Sequence, residues 1–144
     1  MNIESMLHQC AAEGISLSLE TGKLVMTGQQ AALNEWHPLL RSMKSELLDM
    51  MARSVVIVQQ RMAAFVARGV DSTGAHSLSV RLKTRDSEYD ERHLCLECSH
   101  LTGTSDLRRC AQWKHAGFRS PQLPRELPFI LQRCKGFRSA NTNL

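Results

Sequence analysis

The chain lacks any apolar run that could cross a membrane: its longest, Val55-Val56-Ile57-Val58, falls far short of the ~20 residues a spanning helix needs. It opens with Glu4 where a secretory leader carries basic residues, and no apolar core follows, so the expected location is cytoplasmic. Motifs that mark large enzyme classes are missing as well. There is no Gly-x-Ser-x-Gly, no phosphate-binding P-loop, no dinucleotide glycine pattern, no His-Glu-x-x-His and no His-x-Glu of the zinc deaminases. The chain has 144 residues, room for one ordinary domain or two small ones and too little for a large α/β enzyme. No internal repeat, low-complexity tract or block of Lys/Arg is visible. These absences point away from catalysis and from the membrane.

What is present is unevenly distributed. Residues 1–52 carry three Lys/Arg against six Asp/Glu (net −3), residues 53–90 six against four (net +2), and residues 91–144 nine against four (net +5). An acidic head and a basic tail suggest modules with different partners, the basic one facing phosphate or an acidic surface.

The head reads as helix, hairpin, helices. Ile3, Met6, Leu7, Cys10 and Ala11 recur at helical spacing, with Gly14 as the stop. Cys10 on that apolar face is expected to be a core thiol. The period then drops to two: Ile15, Leu17 and Leu19 alternate with polar residues, Thr21-Gly22 turns, and Leu24 and Met26 face the same side. A hairpin of this kind needs a cover. Leu33, Trp36, Leu40, Met43, Leu47 and Met51 supply one, with Pro38 starting or kinking its helix. Residues 53–90 read as a helical linker region. Val55, Val58, Met62, Phe65 and Val66 form a stripe ended by Gly69, and Ala75, Leu78 and Leu82 lie on a second helix capped by Asp71 or Ser72. The charged stretch Arg85 to Arg92 reads as a surface connector.

The runs Gly14-Ile15-Ser16-Leu17-Ser18-Leu19, Gly22-Lys23-Leu24 and Leu39-Leu40-Arg41-Ser42-Met43-Lys44-Ser45-Glu46-Leu47-Leu48 make residues 1–52 resemble the N-terminal docking domain of tubulysin-type hybrid peptide/polyketide synthetases. The resemblance implies an αββαα unit, often homodimeric, that captures a short partner segment along its hairpin. An open strand edge suits that role physically, since its unpaired amides and carbonyls can accept an added strand.

The most informative pattern is Cys95-x2-Cys98, followed by Cys110 and Cys134, among five cysteines in all. In a reducing compartment this argues for metal ligation rather than a disulfide framework. Two cysteines separated by two residues can turn both sulfurs toward one ion, and four thiolates complete a closed tetrahedral Zn2+ site. An iron–sulfur cluster could use the same set, His93, His100 or His115 could replace one cysteine, and free thiols are the remaining reading. Arg92, Arg108, Arg109, Arg133 and Lys135 lie beside these cysteines in sequence and would offset their charge. A module of this size, with few apolar residues of its own, is expected to depend on the metal for its fold. Residues 91–138 are therefore read as a four-cysteine zinc module and residues 139–144 as a disordered tail.

Arg108, Arg109, Trp113, Lys114 and Arg119 have the composition of a phosphate-and-stacking surface, although Trp113 could equally fill the module's small core. The stretches Cys95-Leu96-Glu97-Cys98-Ser99-His100-Leu101, Arg109-Cys110-Ala111-Gln112-Trp113 and Leu131-Gln132-Arg133-Cys134-Lys135-Gly136-Phe137 resemble small proteins carried by proteobacterial phages and integrating elements. That resemblance implies an accessory role in a mobile element. The overall expectation is an α+β, non-enzymatic, zinc-stabilised adaptor that binds a protein partner or itself through its N-terminal unit. The alternative is a nucleic-acid-binding accessory or regulatory factor acting through the basic tail.

Overall fold

Asn2 starts the first helix by accepting the Ser5 N–H on its side-chain oxygen at 2.8 Å, which satisfies one of the donors a helix N-terminus leaves open. The structure, a computed structural model, describes residues 2–140 and divides into two compact units, Met1–Val56 and Ile57–Leu144. It is a mixed helix-and-sheet chain with two small antiparallel sheets among the described residues, as the α+β reading expects. No helix among those residues is long and apolar enough to cross a membrane.

In the first unit, α1 (Ile3–Ala12) leads through Gly14, at φ +75°, into the hairpin of β1 (Ser16–Glu20) and β2 (Lys23–Thr27). Leu17 pairs with Met26 and Leu19 with Leu24, so the alternating apolar residues share one face. That face is covered by α2 (Gln30–Ser42) and the start of α3 (Lys44–Ala67), whose Trp36, Leu40 and Leu47 are buried with Met6, Cys10 and Ile15. Cys10 is therefore a core thiol. Pro38 sits inside α2 rather than at its start. The Trp36 indole N–H donates to Glu13 Oε2 at 2.6 Å, so the one polar atom of that ring is matched.

The second unit joins segments that the sequence reading keeps apart. Phe65 at the end of α3, Val70, and Ala75, Leu78 and Leu82 on α4 (Ser72–Ser87) share one buried cluster with Leu94, Leu96, Leu101 and Leu123. The contacts divide once, at 56/57, and not at 52/53 or 90/91. The helices of residues 57–87 are thus the apolar floor on which the cysteine-bearing loops lie, and the basic tail is less dependent on its own few apolar residues than its composition suggests. Asp71 caps α4 by accepting the Gly74 N–H at 2.9 Å. Val55 and Val66, placed in the helical stripe, are instead exposed at 45% and 47%.

The loops are held by short pairings. β3 (Leu101–Thr102) and β4 (Arg109–Cys110) pair antiparallel, followed by a single-turn helix, α5 (Trp113–Ala116), and a 3-10 turn over Leu127–Phe129. The β3–β4 connection turns on Gly103 at φ +76°, where an added Cβ would run into the Leu107 carbonyl oxygen. Gly103→Ala is expected to cost about 2–4 kcal/mol, from left-handed strain plus a steric clash with backbone. Urea unfolding of the variant checks this, and a loss below about 0.5 kcal/mol would contradict it. At the C-terminal end, Ser139 bridges to Cys98 and the Ala140 N–H donates to the Glu97 carbonyl at 2.9 Å. The disorder expected from residue 139 onward does not describe these two, while residues 141–144 lie outside the described residues.

Candidate metal centre

Four separate backbone pairings bring the four cysteines to one place. A 3-10 turn over Cys95–Glu97 returns the Cys98 N–H to the Cys95 carbonyl at 2.9 Å, so the Cys-x2-Cys segment is a closed turn. β3–β4 pairing sets Cys110 opposite Leu101, and the Cys110 N–H donates to the Pro121 carbonyl at 2.8 Å. His93 and Gln132 exchange backbone hydrogen bonds at 2.9 and 3.0 Å, which lays the Cys134 segment beside the Cys95 segment. Pro121, the first residue of the proline-rich stretch 121–128, thus anchors Cys110.

Cys95, Cys98, Cys110 and Cys134 line a single cavity of about 20 Å³, walled by Leu94, Leu101, Leu123, Phe118, His93 and Phe137. That volume holds about one water-sized particle. Cys98 is buried and the other three are half-buried, and all five cysteines of the chain are free thiols. Burial pushes the Cys95 thiol up to about 11, with further increments from Cys134, Cys98 and Cys110; burial also raises Cys110, opposed by the Gln112 backbone N–H. The thiols are therefore near enough to oppose one another's ionisation. Among the described residues no three His, Cys, Asp or Glu side chains stand in preformed ligand geometry. Four thiols are the kind of donor set that could hold one divalent cation such as Zn2+, whose charge is what they would need in order to ionise together.

The residues that fix this pocket are ones sequence adjacency does not reveal. Gln132 Nε2 donates to Cys95 Sγ at 3.2 Å, orienting that sulfur. Glu97, inside the Cys-x2-Cys turn, accepts the Leu94 N–H at 2.8 Å and Arg85 Nη1 at 2.6 Å. Arg85 is only 6% exposed and also grips Asp86 through Nε and Nη2, at 2.9 and 2.7 Å. It is thus the buried link between α4 and the cysteine turn, and not part of a surface connector. The cation that contacts Cys98 is Arg68, whose Nη1 donates to the Cys98 carbonyl at 2.8 Å. Arg92 is instead engaged with Asp90, at 2.6–3.0 Å. The His93 ring stacks on Phe137 with centroids 3.9 Å apart at the cavity wall, whereas His100 and His115 do not line the cavity.

Burial alone would raise the Asp86 carboxyl, but hydrogen bonds from Arg61 and Arg85 and their charges hold it below the usual carboxylate range. A depressed folded-state value means this contribution to stability is complete above the unfolded carboxylate range and fades as pH falls through the folded one. Acid unfolding of wild type against Asp86→Asn measures it, and the two curves should converge at the acid end.

The residues read as a nucleic-acid surface separate into two groups. Arg108 is 6% exposed, donates to the Ser105 and Arg68 carbonyls at 2.6 and 3.0 Å, and lies over the Phe129 ring. It is an internal clamp and cannot present its guanidinium to a phosphate chain. Arg109, Lys114 and Arg119 are exposed, and Lys114 Nζ sits 5.4 Å over the half-buried Trp113 ring. No protein-family profile, curated protein or solved structure matches the chain.

Proposed function

We propose that this protein is a non-enzymatic adaptor whose second unit is shaped by one Zn2+ on Cys95, Cys98, Cys110 and Cys134, and whose first unit engages a protein partner or a second copy of itself. The observation that carries the reading is the convergence of four cysteines, from three separate stretches of chain, on one ion-sized cavity. Four thiolate ligands close the shell, leaving no position at which water could be activated, so the site is structural. Sulfur donors alone also suit an iron–sulfur cluster, and metal content separates the two. In the first unit β1 pairs only with β2 among the described residues, so each strand keeps an outer edge to which a partner strand can add. The resemblance to docking domains favours that use of the hairpin, and the resemblance of the tail favours an accessory protein of a mobile genetic element working in the reducing cytoplasm.

Elemental and native mass spectrometry of the purified chain test the metal: one zinc per chain is expected, and iron, or none in a fully ordered protein, overturns the assignment. For the adaptor role, a dimeric mass or a specific partner recovered on the immobilised chain is expected. A strictly monomeric chain that recovers no partner removes it. A second reading rests on exposed Arg109, Lys114 and Arg119 around Trp113: binding of DNA or RNA that weakens steeply with salt would establish it in place of the adaptor.

A further inference from the structure

A second cavity, of about 190 Å³, lies entirely within the second unit and shares His93 and Phe137 with the cysteine cavity. Its lining residues include three arginines, Arg61, Arg68 and Arg85, with Glu97, Phe65 and Ala140. Arg61 is buried on α3 and donates Nη2 to Asp86 Oδ2 at 2.6 Å, yet its Nη1 is buried with no hydrogen-bond partner. A buried donor left unmatched carries its full desolvation penalty. The two carboxylates that serve this cluster, Asp86 and Glu97, face three arginines, and both are already gripped by Arg85. Arg68 directs Nη1 at the Cys98 carbonyl, a contact that cancels no charge. Arg61 Nη1 is thus the buried donor of this cluster that no partner meets among the described residues.

We infer that this cavity binds a phosphate-class oxyanion, with Arg61 Nη1 donating to it and Arg68 adding its charge. Guanidinium donors in a fixed fork match the oxygens of a phosphoryl group, and a weakly hydrated, permanently charged side chain suits a partly buried anion site better than lysine does. The volume exceeds what one carboxylate needs and admits either free phosphate or the terminal phosphoryl group of a small molecule. This assignment does not depend on the hairpin edge or on the exposed cations around Trp113, and it rests on the proposed metal site only in that Glu97 and Phe137 belong to the loops the ion would order.

The test is isothermal titration of the full, metal-loaded chain with inorganic phosphate at constant ionic strength, with a 5′-mononucleotide and acetate as parallel ligands. Saturable one-to-one binding of phosphate or of the mononucleotide is expected, and the tighter of the two identifies the source of the group. Arg61→Met is expected to weaken it about tenfold to a hundredfold, the loss of one hydrogen bond to a charged group. Arg61→Lys keeps charge and bulk but not the fork, and should weaken binding in the same direction, which preserves the test should Arg61→Met fail to fold. Circular dichroism of both variants monitors folding. Absence of saturable binding, wild-type affinity in a folded variant, or equal affinity for acetate would overturn the assignment.

Discussion

If Cys98 is a ligand of the proposed Zn2+, Cys98→Ser is expected to release the ion and to open the loops of residues 93–138 while the first unit stays folded. Cys98 is the most buried of the four thiols, and its backbone closes the turn that carries Cys95. Structural zinc contributes on the order of 10 kcal/mol where the metal-free segment cannot fold. Here Leu94, Leu96, Leu101 and Leu123 also pack on Phe65, Leu78 and Leu82, so some apolar collapse should survive metal loss. The expected outcome is loss of specific order in the loops rather than unfolding of α4. Amide exchange reads this directly. The N–H groups of Cys110, Leu123 and Gln132, each bonded to a distant carbonyl, should lose protection, while those in β1 and β2 should not. Unchanged protection at Cys110 and Gln132 in a metal-free variant would show that the loops hold without the ion.

Arg85→Met should be the most damaging single change outside the cysteines, costing about 3–5 kcal/mol. Breaking a buried ion pair leaves the partner charge uncompensated, and that penalty, rather than the lost attraction, sets the size. Arg85 is 6% exposed and Glu97 15%, and their contact is 2.6 Å long. Without Arg85, Glu97 keeps the Leu94 N–H but loses its cation, inside the turn that positions Cys95 and Cys98. Zinc affinity should therefore fall together with stability. Adding Glu97→Gln should recover part of the loss, because it removes the stranded charge while keeping an acceptor for the Leu94 amide. Arg92→Ala, which breaks a surface pair with Asp90, should leave stability unchanged within error. Urea unfolding of the three variants checks the order, and equal losses for Arg85→Met and Arg92→Ala would refute it.

Much of the local structure is readable from spacing. The change of period at Ile15, the register that puts Leu17 and Leu19 beside Met26 and Leu24, and the stripe of Ala75, Leu78 and Leu82 follow from side-chain geometry on strands and helices. The spacing of Cys95, Cys98, Cys110 and Cys134 singles these residues out, and all four line one cavity, but spacing alone does not choose between zinc, an iron–sulfur cluster, a histidine in place of one cysteine and free thiols. What spacing does not carry is which distant segments share a core. Leu78 and Leu82 offer an apolar face, but nothing local says that Leu94, Leu96, Leu101 and Leu123 will cover it. The same holds for charge. Arg92 and Arg108 neighbour the cysteines in sequence, yet one is drawn to Asp90 and the other to backbone carbonyls inside the unit. The guanidinium that bonds the Cys98 backbone comes instead from Arg68, thirty positions away. A charged stretch such as Arg85 to Arg92 reads as solvated because most such stretches are. Burial of Arg85 becomes legible only once Glu97 and Asp86 are seen to converge on it.

Zinc-edge X-ray absorption of the native chain probes the centre most directly, since it counts the atoms around the ion without reference to stability. Four sulfur neighbours at about 2.3 Å, and no light-atom shell at bonding distance, are what a closed four-cysteine site predicts. A mixed nitrogen and sulfur shell, or fewer than four sulfurs, would contradict it and would return His93, at the cavity wall, to the list of ligands.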